Sequence, residues 1–120
     1  MRLTCLILLV VFSLSSCNYR LAKSVESFSS RPTYQSIREQ ILKPSCFKCH
    51  SGLEAEMEID LASYSDVINS NLGLITPGEP LNSTLYLNVQ SGRMPPEGPR
   101  LSDAEIKNIY DWIMLGAPEN

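Results

Sequence analysis

The sequence predicts an all-α domain of small helices joined by long loops. Four segments carry apolar residues at helical spacing or a helix-capping signal, and three of them end at a glycine or proline. The connections are rich in glycine and proline, and the chain offers no strong pair of strands. Its 120 residues are enough for one such domain. The predicted helices cover residues 32–43, 61–68, 82–91 and 103–115.

The first predicted helix, 32–43, has a capping residue and one apolar face. Thr33 can cap its N-terminus. Pro44 is expected to end or kink it, because proline has no N–H to donate. The apolar residues recur at helical spacing, which predicts that one side of the helix packs on a core. They are Tyr34, Ile37, Ile41 and Leu42.

The last predicted helix, 103–115, begins with a capping box. Ser102 stands at the cap position and Glu105 follows three residues later. We expect Trp112 at the edge of the core and Met114 within it. The expected apolar face comprises Ile106, Ile109, Tyr110 and Ile113.

The two middle helices, 61–68 and 82–91, are shorter. Ser63 can cap the first of them, and Asn82 or Ser83 can cap the second. The second is expected to supply three residues to the core. These are Leu85, Leu87 and Val89.

Residues 51–59 alternate acidic and apolar side chains. The alternation is compatible with a short strand, but Gly52 and the poor strand propensity of glutamate favour an exposed loop. The acids fit a solvated face better than a docking surface. They are Glu54, Glu56 and Glu58.

Composition and charge narrow the possible functions. The net charge of -3 lacks the basic surface of a nucleic-acid-binding protein, so nucleic acid is not expected as a partner. Two of the four cysteines, Cys5 and Cys17, lie in or at the end of the first apolar segment. Cys46 and Cys49 remain for the folded domain, and their close spacing suits metal, redox or haem chemistry better than a structural disulfide.

The N-terminus has the order of a secretory signal. Arg2 precedes an apolar run, and residues 1–16 are short for a membrane span. The sequence Leu-Ser-Ser-Cys that ends at Cys17 resembles the lipobox of bacterial lipoproteins. That resemblance implies cleavage before Cys17 and attachment of lipid to its sulfur and amine. An uncleaved anchor and ordinary signal cleavage nearby remain alternatives.

The predicted lipid anchor places the chain in the bacterial cell envelope. Residues 17–31 carry Cys17 and then a serine-rich, charged segment of the kind that forms a flexible tether. Residues 32–120 form the folded domain, which we expect on the periplasmic or extracellular side of a membrane. The sequence leaves open whether this is the inner or the outer membrane.

The most specific motif is Cys46-Phe47-Lys48-Cys49-His50. Two cysteines with two residues between them and a histidine directly after are typical of c-type haem attachment. The two thiols can form thioether bonds to the vinyl groups of one porphyrin. His50 is the only histidine in the chain and is the predicted proximal ligand of the iron.

A second axial ligand is expected among the methionines. In electron carriers, haem iron held by histidine on one face often takes methionine on the other. Met57 follows His50 too closely to reach the opposite face, and Met114 is expected in the core. Met94 lies farther along, on a turn stiffened by the two prolines that follow it. We therefore predict that Met94 binds the iron.

These motifs resemble the single-haem class I cytochromes c over residues 33–118. The resemblance implies a cytochrome c-like fold wrapped around one covalent haem c, with electron transfer as the activity. The chain departs from many relatives in having Ser51 after the histidine, and no proline between Ser51 and Thr76 to accept a bond from the His50 ring. The stretches that carry the resemblance are Cys46–His50, Pro77–Pro80, Ser83–Tyr86, Arg93–Pro96, Leu101–Ser102, Trp112–Ile113 and Gly116–Ala117.

The sequence thus predicts a membrane-tethered electron carrier rather than an enzyme. One haem c, attached through Cys46 and Cys49 and ligated by His50 and Met94, would exchange single electrons with separate redox partner proteins. The alternative is a haem-based gas or peroxide sensor, or a weak peroxidase, in which Met94 is displaced. Arg93 is the nearest charged residue for that chemistry.

Interpretations of the cysteine motif that do not involve haem remain open as well. Cys46 and Cys49 could form a redox dithiol, although the alternating strand and helix context of such motifs is missing. They could also bind zinc with His50, but no fourth ligand is obvious. A role in interaction or as a scaffold is the least specific possibility.

Overall fold

The structure is a computed structural model that describes residues 31–53 and 55–120. The predicted signal peptide, Cys17, the predicted tether apart from Arg31, and Glu54 lie outside the described residues. Every regular element in the described part is helical, which confirms the predicted all-α fold. The elements are α1 (Tyr34–Ile37), a π-helical turn (Arg38–Leu42), α2 (Lys43–Ser45), a 3₁₀ turn (Glu56–Glu58), α3 (Tyr64–Ile68), a 3₁₀ turn (Pro80–Asn82), α4 (Thr84–Gln90) and α5 (Asp103–Met114).

The first helix runs farther than predicted. Thr33 caps α1, as expected, in a capping box with Ser36. The helix does not stop at Pro44, because a π-helical turn precedes the proline and the Lys43 N–H donates five residues back to the Arg38 carbonyl. The wider turn accommodates a residue that lacks an N–H and crowds the preceding turn. The chain therefore stays helical up to Cys46.

The last helix, α5, begins as predicted, and its predicted apolar face packs on the core, with Ile109 and Ile113 fully buried and Ile106 and Tyr110 partly buried. Ser102 and Glu105 form the expected capping box. The prediction for Trp112 was wrong, since its side chain is fully buried and its indole N–H donates to the Pro118 carbonyl at 2.9 Å. The prediction for Met114 was also wrong, because the residue is 49% exposed. The buried stripe follows helical spacing through Glu105, Asn108, Ile109, Trp112 and Ile113.

The first and last helices pack together around the core. The Tyr34 N–H donates to the Pro118 carbonyl at 2.8 Å, and the Tyr34 and Trp112 rings lie 6.2 Å apart. Tyr64 from α3 closes the same corner through its hydroxyl, which donates to the Ala117 carbonyl at 2.9 Å. The fully buried apolar side chains at the centre are Ile37, Ile41, Val67, Ile109, Trp112 and Ile113.

The middle of the chain follows the prediction in part. Ser63 caps α3. Ser83 precedes α4 without capping it, because its buried hydroxyl accepts from the Thr76 N–H and donates to the Glu79 carbonyl. Leu87, expected in the core, is 42% exposed, while Tyr86 is buried in its place.

The acidic segment is a loop, as predicted. It contains a short 3₁₀ turn, Glu56–Glu58, in which Met57 and Glu58 have positive φ angles of 56° and 58°. Left-handed backbone of this kind is incompatible with a strand.

Among the described residues, no helix is long and apolar enough to cross a membrane.

Candidate haem-attachment site

The end of α2 leads directly into the cysteine motif. The Cys46 N–H donates to the Leu42 carbonyl at 2.7 Å, so Cys46 closes the helical segment. The Cys46 carbonyl then accepts from the N–H groups of Cys49 and His50, at 3.1 and 2.9 Å. These bonds fold the motif into a tight turn. The turn brings its two cysteines and its histidine to one end of the first helix.

Both thiols of the motif are free and partly buried. Burial raises the pKa of the Cys46 thiol to about 11. Burial therefore favours the protonated Cys46 thiol in the metal-free chain, whereas a redox dithiol reacts as the thiolate. The described residues also contain no cluster of three or more histidine, cysteine, aspartate or glutamate side chains that could hold a metal ion. The structure therefore adds no support to the redox-dithiol and zinc hypotheses.

The predicted site residues meet around two adjoining spaces. The inner space is a mostly apolar cavity of about 80 Å³, and the outer one is a cleft of about 390 Å³. Cys46, His50 and Met94 line both of them, and Cys49 lines the outer cleft. The apolar residues of the inner wall are Leu42, Ile59, Leu61, Leu74, Leu85, Val89 and Ile109.

Met94 is the one predicted candidate among the methionines that reaches the site. It is half-buried and packs against the core, and its N–H donates to the Asn88 carbonyl at the end of α4 at 3.1 Å. Met57 is 76% exposed, and neither Met57 nor Met114 lines the inner cavity or the outer cleft. The prediction that Met57 is badly placed therefore agrees with the structure.

A turn at Gly92 carries Met94 back towards the cavity. Gly92 has a positive φ of 74°, and a Cβ there would lie 2.5 Å from the guanidinium carbon of Arg100. The Arg100 side chain passes close to Gly92 and donates to the Gln90 carbonyl at 3.1 Å. The loop of residues 92–100 is thus tied to the end of α4. Arg93, the charged residue considered for peroxide or gas chemistry, is exposed and lines neither of the two spaces.

The residues present fit a c-type haem. Two free thiols, an imidazole and a thioether border the same spaces, and histidine and methionine are known axial ligands of haem iron. The His50 Nδ1 atom is buried and has no hydrogen-bond partner among the described residues. An unpaired buried nitrogen of this kind costs free energy that a hydrogen-bond acceptor would offset. The acceptor for the His50 ring that the sequence did not identify is not supplied by the described residues either.

The sequence patterns did not identify some of the residues that shape the site. Leu61 donates its N–H to the His50 carbonyl at 2.9 Å, and the Arg38 guanidinium lies 5.4 Å from the centre of the Phe47 ring. Thr84 and Asn88 add polar groups to the inner cavity. No local pattern identifies these residues, because each reaches the site through contacts between distant parts of the chain.

Comparison with known proteins gives one family. The family described as Planctomycete cytochrome C matches residues 46–98, a range that starts at the first cysteine of the motif and includes Met94. No curated protein and no solved structure matches the chain. The matched range contains the complete attachment motif and most of the inner wall. The match supports a haem-binding, c-type cytochrome-like domain over this range.

Proposed function

We propose that the protein is a membrane-tethered cytochrome that carries single electrons through one covalently attached haem ligated by histidine and methionine. The observation that carries the proposal is the meeting of Cys46, His50 and Met94 on the wall of one apolar cavity. Cys49 lies on the adjoining cleft. Cys46 and Cys49 would hold the porphyrin, and His50 and Met94 would bind its iron.

The chain's own residues have two tasks in this function. The first is to exclude water, which the apolar wall of the inner cavity does. The second is to hold the two ligands in place, which falls to the turn around His50 and the loop around Met94. A bound haem supplies the one-electron couple of its iron, and methionine ligation raises the potential of that couple.

The inner cavity suits an electron carrier, and the charged residues near the site, Lys48, Glu56 and Glu97, line only the outer cleft. The described wall of the inner cavity contains no carboxylate and no cationic side chain, and its polar members are Cys46, His50, Thr84 and Asn88. Cleavage of a peroxide bond generally needs polar groups that donate or accept protons on the distal side. The described wall therefore suits a haem whose iron keeps both protein ligands.

Membrane attachment is the second part of the proposal. It rests on the apolar N-terminal run and the lipobox-like sequence before Cys17. Two or more acyl chains on Cys17 would anchor the protein stably, because a single chain gives only marginal binding. The tether would let the domain turn towards separate redox partners while it stays near the membrane.

Mass and absorption measurements on the purified holoprotein test the haem assignment. We expect the mass of the processed chain plus one haem, and low-spin bands in the reduced spectrum. A chain that carries no covalent haem, or haem that is high-spin in both oxidation states, would contradict the proposal.

Fractionation of cells tests the anchor separately. We expect the wild-type protein in the membrane fraction with acyl chains on Cys17, and a Cys17→Ala variant that is secreted from an ordinary cleavable signal peptide outside that fraction, with haem still attached. A haem-containing wild-type protein whose Cys17 carries no acyl mass would exclude the lipid anchor and leave the haem assignment intact.

A further inference from the structure

We propose that Arg38 is a positioning residue for His50. The proposal rests on the proposed function, because it assigns Arg38 the task of fixing a histidine that binds iron. Arg38 lies in the π-helical turn and is separated in sequence from the two segments that it touches. Those segments flank His50 on both sides along the chain.

Arg38 makes two contacts that join separate parts of the chain. Its Nε–H donates to the Ala62 carbonyl at 3.1 Å, and its guanidinium lies 5.4 Å from the centre of the Phe47 ring. It also pairs with Glu39 on its own helical stretch. Its side chain is only 33% exposed, so these contacts are partly shielded from water.

One contact leads to the backbone of His50 itself, and the other leads to residues on either side of it. Leu61, the neighbour of Ala62, donates its N–H to the His50 carbonyl at 2.9 Å. Phe47 belongs to the cysteine motif, and its carbonyl accepts from the Ser51 hydroxyl on the far side of His50 at 2.7 Å. Arg38 therefore contacts both of the segments that flank His50 along the chain.

The placement of the His50 backbone matters because of the state of the His50 ring. Its Nδ1 atom has no hydrogen-bond partner among the described residues. Haem-ligating histidines are usually oriented by a bond from the second ring nitrogen, and that bond also tunes the metal. Where the ring has no such bond, its orientation depends on the placement of the backbone. The Arg38 contacts contribute to that placement.

The test compares three variants of the haem-loaded protein. Arg38→Ala removes both contacts. Arg38→Lys keeps the charge but lacks the planar guanidinium that can donate to Ala62 while it stacks on Phe47. Lys43→Ala is the matched control, because Lys43 pairs with the same Glu39, at 3.0 Å, on the same helical stretch. The readouts are the haem mass, the midpoint potential and the proton NMR signals of the His50 ring in the ferric protein.

We expect Arg38→Ala to keep its haem, to shift the midpoint potential and to shift or split the His50 ring signals. Arg38→Lys should give smaller shifts in the same direction, and Lys43→Ala should match the wild type. If Arg38→Ala yields no holoprotein, Arg38→Lys carries the test with the same readouts. A general loss of stability would not by itself reproduce a change confined to the His50 signals and the potential.

The outcomes separate this inference from the proposed function. Arg38 variants with the wild-type potential and wild-type His50 signals would overturn the positioning role and leave the haem assignment intact. A Lys43→Ala variant that shifts as far as Arg38→Ala would overturn it too. A wild-type protein without His50 ligand signals would contradict the proposed function itself.

Discussion

The two walls of the site that carry the proposed ligands are built in different ways. The His50 wall, residues 46–50, is a tight turn at the end of a helix, and His50 is bonded to Cys46 through its N–H and to Leu61 through its carbonyl. The Met94 wall, residues 92–100, is a loop that returns to α4 through the Met94 N–H and the exposed Arg100 side chain. Loops with few backbone bonds open more readily than turns anchored on helices. We therefore expect Met94 to be the ligand that is exchanged first.

The largest effect is expected at the His50 wall. The double substitution Cys46→Ser and Cys49→Ser removes the two proposed thioether bonds, so we expect complete loss of covalently attached haem. Haem staining of a denaturing gel measures this directly. Stain retained by the double variant would place the attachment elsewhere in the chain.

Removal of the proposed ligand on the Met94 wall should leave haem attached but change its state. In Met94→Ala we expect high-spin ferric haem, faster carbon monoxide binding to the reduced protein and a lower midpoint potential, because methionine ligation raises it. Axial ligands set haem potentials over a range of about 0.8 V, so the drop should be readily measured. Met114→Ala is the control, since Met114 is 49% exposed and lines neither space.

A glycine substitution should loosen the Met94 wall without removing a ligand. Gly92→Ala places a Cβ at 2.5 Å from Arg100 and forces alanine into a positive φ. The strained φ should lower the free energy of unfolding by about 1 kcal/mol, and displacement of the exposed Arg100 side chain from the Gln90 carbonyl should let carbon monoxide bind faster. Gly98→Ala is the control, because its φ is also positive but a Cβ there meets nothing within 4 Å. Equal carbon monoxide rates in the two variants would show that the Arg100 contact does not restrain Met94.

The smallest predicted effect concerns Tyr34, which bonds to Leu61, the residue that donates to the His50 carbonyl. Burial is the main cause that raises the pKa of the Tyr34 hydroxyl, which donates to the Leu61 carbonyl at 2.9 Å. Because the unfolded chain loses this proton near pH 10 and the folded chain loses it later, the contribution of Tyr34 to stability is full below that pH. It is lost as the pH rises through the folded pKa.

Tyr34→Phe should therefore cost about 1 kcal/mol at neutral pH and weaken the decline in stability above about pH 10. Denaturant unfolding at neutral and alkaline pH measures both. An unchanged alkaline decline would show that Tyr34 is not its source.

The parts of the molecule that could be predicted from sequence are those set by local chemistry. Thr33, Ser63 and Ser102 were identified as caps because a cap needs only a hydroxyl at the right distance from the helix. The cysteine motif was identified for a similar reason, since its spacing is fixed by one porphyrin. Its role in this chain is supported by the family match over residues 46–98.

What could not be predicted depends on contacts between distant residues. The buried face of α5 includes Glu105 and Asn108, which hydrophobicity alone assigns to the surface, so Trp112 and Met114 were both misplaced. The π-helical turn before Pro44 and the reach of Arg38 to Ala62 follow from packing between segments. Such contacts leave no periodic signal in the sequence.

Proton NMR of the reduced holoprotein tests the central claim most directly. A methionine bound to haem iron lies against the porphyrin, whose ring current moves the methyl signal far from its usual position. We expect one such signal in the wild type, in Met57→Ala and in Met114→Ala, and none in Met94→Ala. A shifted methyl signal that persists in Met94→Ala would contradict the proposed ligation.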